Sequence, residues 1–134
     1  MTVRKLNISL TTNTLFNILN FRMGLLSALI DDGHRIFVLA PKDQGVDRIT
    51  ASGATFIPLQ QMSRKGTNPI QDLKLLFELR NIYSKHTIDV ALHYTIKPVI
   101  YGSLAAQDTR VINTITGLGY AFISNGWINK VVRL

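Results

Sequence analysis

Lys5-Leu6-Asn7-Ile8-Ser9-Leu10 runs straight into Thr11-Thr12-Asn13-Thr14, and the fold follows from how these ten residues continue. The first six alternate apolar and polar side chains over a short span, the pattern of a β-strand. The next four offer side-chain oxygens able to cap a helix N-terminus. Leu15, Ile18, Arg22, Leu25 and Leu29 then recur at steps of three and four, which predicts a helix closed by Gly33. Arg35-Ile36-Phe37-Val38-Leu39-Ala40 is a second strand, stopped by Pro41. Strand, helix, strand in so few residues is a βαβ unit.

The pattern continues outward. A short helix is expected around Asp43–Ala51, ended by Gly53, and a third strand over Ala54–Leu59. A polar loop through Ser63-Arg64-Lys65-Gly66-Thr67 leads to Asn68-Pro69, an N-cap followed by proline in the first turn. Leu73, Leu76, Phe77, Arg80 and Tyr83 carry a helix to about His86. Ile88–Leu92 reads as a fourth strand, Lys97–Gln107 as a helix and Arg110–Ile115 as a fifth strand. Gly117-Leu118-Gly119 interrupts the chain, and Trp127–Leu134 begins another helical pattern. Strands alternating with helices predict an α/β fold: a Rossmann-like parallel sheet, order 3-2-1-4-5, with right-handed crossovers and helices on both faces.

Composition narrows the function. The chain has 134 residues, enough for one domain and too few for two. It has no cysteine, which excludes thiolate metal sites, and its three histidines show no metal-ligand spacing. No metal and no cofactor are therefore expected. Fifteen Lys+Arg against eight Asp+Glu give a net charge of +7, which favours an anionic partner. The basic residues are scattered without aromatic interleaving, so nucleic acid ranks last among such partners. Neither a secretory leader nor a membrane-spanning stretch is read near the N-terminus. The expectation is a cytoplasmic protein whose membrane contact is peripheral.

In an open parallel sheet, ligands bind beyond the carboxyl ends of the strands where the order reverses, here between the first and fourth. The loops expected to meet there are Thr11–Thr14 and His93–Lys97, flanked by Thr116–Gly119. Their substrate-binding candidates are Thr12, Asn13, Thr95, Lys97, Thr116, Gly117 and Gly119. Arg22 interrupts an apolar stripe, so it is either structurally paired or an anion contact at the cleft edge. Lys97 opens a helix, where a cation opposes the helix dipole unless an anion binds; the alternative is a solvated lysine. Arg64 and Lys65 are either a phosphate clamp or a solvated pair. His93, the weak catalytic candidate, is a general acid or base or a hydrogen-bonded structural histidine, with the second favoured. Gly117 and Gly119 either admit a ligand to the backbone or make a turn. Dinucleotide-binding glycines, a P-loop and a nucleophile elbow are all missing from the sequence.

Four segments carry a family resemblance: Gly33–Ala40, Ser63–Pro69, Tyr94-Thr95-Ile96-Lys97-Pro98-Val99-Ile100-Tyr101-Gly102-Ser103 and Thr114-Ile115-Thr116-Gly117-Leu118-Gly119. Across nearly its whole length the chain resembles the N-terminal domain of bacterial family 4 glycosyltransferases of the GT-B architecture. The nearest group builds polyprenyl-diphosphate-linked oligosaccharides for surface polysaccharide, lipopolysaccharide or glycoprotein synthesis. The resemblance implies sugar transfer from a nucleotide sugar to an acceptor hydroxyl, with anomeric retention and without an essential metal. It implies that residues 1–134 form the acceptor-side domain, the nucleotide sugar binding a C-terminal domain outside this chain. The chain alone should then be inactive. The implied partners are a lipid-linked sugar acceptor and an anionic membrane surface, at the inner face of the cell membrane. Self-association or a partner chain would use the surface that the second domain leaves. Two positions depart from the family pattern: Phe21 stands where many relatives carry histidine, and His93 lies at a variable position. Two other readings stay open: a non-catalytic Rossmann-like module paired with a partner chain, and half of a sugar-nucleotide epimerase.

Overall fold

The computed structural model describes residues 4–62 and 68–114. Five strands, β1 (Asn7–Thr11), β2 (Arg35–Ala40), β3 (Thr55–Pro58), β4 (Val90–Tyr94) and β5 (Arg110–Thr114), form one sheet in the order β3-β2-β1-β4-β5. Every pairing is parallel. The expected order and direction are both observed.

Helices α1 (Leu15–Phe21), α2 (Met23–Asp31) and α3 (Val46–Ala51) accompany the first three strands. Helix α4 (Pro69–Lys85) precedes β4, and a π-helical turn over Pro98–Gly102 runs into α5 (Ser103–Ala105) before β5. The strand residues divide by parity, as a sheet covered on both sides requires. Ile8, Leu10, Ile36, Val38, Leu92 and Tyr94 pack with Leu15, Ile18 and Leu26 on one face. Leu39 and Ala91 pack with Leu75, Leu79 and Tyr83 on the other. Gly33 and Gly53 follow their helices at φ of 92° and 101°, a backbone region that side chains resist.

Three expectations shift in ways that matter for the site. The single helix from Leu15 is broken at Arg22, whose φ and ψ of −124° and 3° end α1 and start α2. The break rotates the stripe, so Leu26 is fully buried while Leu25 stays 41% exposed. β4 starts at Val90, two residues later than expected. Ile88 still donates its N–H to Tyr83 O and closes α4, and Asp89 then donates to Asn7 O. His93 and Tyr94 therefore lie inside the strand rather than in the loop. Finally, the helix after β4 is a π-helical turn that continues as one short α-turn, a local widening that recurs at functional sites.

Candidate acceptor crevice at the carboxyl edge

β1, β4 and β5 are adjacent and parallel, so their carboxyl ends share one edge of the sheet, and the segments that follow β1 and β4 leave from it. These two segments are in direct contact: the Asn13 N–H donates to Thr95 Oγ1 at 3.3 Å. Thr95 holds φ at 72°, a strained conformation for a β-branched residue. Strain of this kind costs on the order of 1–3 kcal/mol and concentrates at ligand-binding sites. Thr14 caps α1, accepting the Phe16 N–H on Oγ1, so the first helix turn opens onto the same edge.

On the stretch that follows β1, four buried polar atoms have no hydrogen-bond partner: Thr12 Oγ1, Asn13 Oδ1, Asn17 Oδ1 and Arg22 Nε. All come from the eleven residues Thr12–Arg22, which leave β1, form α1 and reach the break after it. Unsatisfied buried polar atoms are uncommon and cost roughly 1–3 kcal/mol each. The Arg22 guanidinium stacks over the Tyr94 ring, 4.6 Å from its centroid. An aromatic face thus supplies the support that the sequence required for this cation. Burial pushes the Tyr94 hydroxyl above its ordinary pKa, opposed by the Arg22 charge.

Lys97 has a closer partner. Its ammonium lies 3.0 Å from Asp72 Oδ1, and Tyr101 donates its hydroxyl to Asp72 Oδ2, also at 3.0 Å. The hydrogen bond from Lys97 holds the Asp72 carboxyl below its usual range, aided by Tyr101 and opposed by desolvation. This cluster ties the first turn of α4 to the start of the following helix. A ligand phosphate would have to share Lys97 with that carboxylate.

His93 is fully buried, with both ring nitrogens engaged. Nε2 is 2.7 Å from the Tyr83 hydroxyl and Nδ1 is 2.8 Å from Asn113 Oδ1. With the Asn113 amide Nδ2 donating to Ser103, Oδ1 accepts, so Nδ1 carries the proton and Nε2 accepts from Tyr83. Tyr83 in turn meets the Thr11 hydroxyl at 3.5 Å. Burial pushes the Tyr83 hydroxyl up to about 12, with the Thr11 and Ser9 hydroxyls opposing the rise. This chain of contacts engages both imidazole nitrogens inside the fold.

Burial also lowers the His93 pKa, against the effect of its Asn113 hydrogen bond. The unfolded chain therefore takes up a proton near pH 6.5 while the folded protein resists it. Stability should fall as pH drops below about 6.5, by at most about 1.4 kcal/mol per pH unit from this site. Thermal melts from pH 7.5 to 5.5 check this, because His93→Gln should flatten the slope. An unchanged slope in that variant would remove the assignment.

Thr12, Asn13, Thr95 and Arg22 are thus gathered on the carboxyl edge, and Lys97 stands beside it on its ion pair. Arg64, Lys65, Thr116, Gly117 and Gly119 lie outside the described residues. Three participants escaped the sequence reading. Asn17 was visible as a polar break in an apolar helix, whereas Asp72 and Tyr94 gave no local sign of the cations they meet. A depression of about 380 Å³, lined in part by Arg80, Thr87, Asp89 and Asp108, lies at the opposite edge, where β4 and β5 begin. It does not join the crevice.

The glycosyl transferase 4-like family model matches residues 11–131. The chain is 28% identical over 120 residues to the N,N'-diacetylbacillosaminyl-diphospho-undecaprenol alpha-1,3-N-acetylgalactosaminyltransferase of Campylobacter jejuni, spanning 87% of this chain and 32% of that protein. Among solved structures, a glycosyltransferase from Rickettsia africae superposes with a TM-score of 0.70 at 16% identity, over 83% of this chain and 30% of that one. The glycotransferase of kitacinnamycin gives 0.58 at 18% identity, over 84% and 31%. These two likenesses concern the fold. The chain spans about a third of the length of each relative. With its match running through the crevice and nearly the whole chain, the protein belongs to the glycosyl transferase 4-like family.

Proposed function

We propose that this chain is the acceptor-side domain of a glycosyltransferase that extends a lipid-diphosphate-linked sugar. The observation that carries the proposal is the β1–β4 junction, where a strained Thr95 accepts the Asn13 N–H beside unpartnered polar atoms of Thr12, Asn13, Asn17 and Arg22. A sugar offers hydroxyl donors and acceptors to such a set, and a diphosphate offers charge to Arg22. The Campylobacter relative, named for transfer to a diphospho-undecaprenol-linked sugar, supports that class of acceptor.

On this reading the chain's contribution is positional. Thr12, Asn13 and Thr95 hold the acceptor's sugar so that one hydroxyl faces the donor, with Arg22 against the diphosphate. The same acceptor-binding role is proposed for Thr116, Gly117, Gly119, Arg64 and Lys65 from the sequence alone. A nucleotide sugar would be held by the part of the enzyme outside this chain. Fixing two reactants in a productive geometry lowers a barrier by several kcal/mol. No metal or cofactor is assigned to this half. A basic protein working on such a substrate would sit at the anionic inner leaflet. The family match disfavours a non-catalytic module.

Titrating the chain with a short-chain polyprenyl-diphosphate sugar tests the reading. Amide shifts should concentrate on Thr12–Asn17 and Thr95, and Thr95→Gly should weaken binding about five- to tenfold. The same variant should keep its melting temperature within a few degrees, since relief of the positive φ offsets the lost hydrogen bond. Shifts confined to the opposite sheet edge would overturn the proposal.

A further inference from the structure

We infer that the outer face of α4 and of the helix after β4 is the surface by which this protein lies on an anionic lipid bilayer. The inference rests on the proposed lipid-linked acceptor only for its direction; its observations are independent.

The two helices lie side by side, tied where Asp72 meets Lys97 and Tyr101. Leu75, Leu79 and Ile82 point α4 into the core, and Pro98, Gly102 and Ala105 do the same for the second helix. On the opposite sides, Ile70, Leu73 and Phe77 recur at steps of three and four, and Ile96, Ile100 and Leu104 at steps of four. All six are between 47% and 69% exposed. An apolar stripe belongs on the core side of a helix, and here each helix carries a second one facing away.

The charge around the stripe indicates what covers it. Both carboxylates of α4 are occupied internally: Asp72 by Lys97 and Tyr101, and Glu78 by the N–H groups of Gln60 and Gln61 at 2.8 and 3.1 Å. The cations of the same helix, Lys74, Arg80 and Lys85, are all exposed. Apolar residues flanked by cations, with acids withdrawn, match the boundary of an anionic leaflet, in which apolar side chains enter the acyl region and cations meet headgroups. The location also suits the crevice. Both helices start at the carboxyl edge of the sheet, so a bilayer against them brings a membrane-embedded acceptor to that edge. Among the described residues no helix is long and apolar enough to cross a membrane, so the contact lies in the interfacial plane.

Sedimentation of the chain with phosphatidylcholine vesicles, with and without phosphatidylglycerol, tests this. Binding should require the anionic lipid and weaken with salt. Leu73→Glu with Phe77→Glu should lower the partition coefficient by about tenfold or more, and Lys74→Ala by about fivefold. The milder pair Leu73→Gln with Phe77→Gln should also reduce it, with circular dichroism confirming an intact fold. Phe16→Gln, on the other face of the sheet, should bind like the parent. Vesicle binding that survives both double variants would overturn the inference, as would a stripe-dependent dimer that ignores vesicles. If vesicle binding fails while the short-chain acceptor still binds, the docking surface is wrong and the acceptor reading stands.

Discussion

Gly102→Ala should destabilise the protein by about 1–3 kcal/mol, the usual cost of overpacking a close-packed interior. A methyl group at Gly102 would sit 2.7 Å from His93 Cε1 and closer still to Nε2. The imidazole cannot retreat, because Tyr83 and Asn113 hold its two nitrogens. Alanine's advantage in a helix, up to about 1 kcal/mol over glycine, is outweighed. The melting temperature should drop by roughly 5–10 °C.

The decisive version is a double-mutant cycle. In a His93→Ala background the obstacle is gone, so adding Gly102→Ala should be neutral or slightly stabilising. The coupling between the two sites should then exceed about 1 kcal/mol, well beyond the scatter expected of independent positions. Additive effects would show that the π-helical turn is not seated on the imidazole.

The second large effect is expected at Arg22. Arg22→Ala should weaken binding of a polyprenyl-diphosphate sugar about ten- to a hundredfold, the equivalent of about 1.5–3 kcal/mol for hydrogen bonds to a charged group. Arg22→Lys should recover only part of this, since an ammonium lacks the planar face that rests on Tyr94. Tyr94→Leu separates platform from charge: it keeps the guanidinium and removes its support, so binding should fall less than in Arg22→Ala. Losing the stacking should itself lower stability by only about 0.5–2 kcal/mol. An unchanged dissociation constant in Arg22→Ala would return this residue to a purely structural role.

Much of this architecture is written locally. Alternating strands, glycine stops after helices and Asn68-Pro69 at the start of α4 are cues within a few residues of one another, and they suffice for parallel βαβ units; the order 3-2-1-4-5 is supposed on top of them. The carboxyl edge follows from that order alone, which is why Thr12, Asn13 and Thr95 were identifiable. What escaped depends on distant partners. The helix stripe from Leu15 gave no sign that Arg22 would leave it for Tyr94, 72 positions away in the sequence. The late start of β4 depends on Ile88 closing α4, a competition that a strand pattern does not register. Lys97 looked like an uncompensated cation because its counter-ion, Asp72, sits on the preceding helix.

The central position of β1 has a consequence for how the molecule is made. Its neighbour β2 emerges soon after it, but β4 arrives only some eighty residues later, when Asn7 can finally engage His86, Thr87 and Asp89. Until then one side of β1 has no partner, and such long-range closure is slow compared with the formation of the first crossover. On the ribosome, the early half would wait with a raw edge until the later half is synthesised. The crevice between β1 and β4 is therefore born last, at the seam where the two halves of the domain are sewn together.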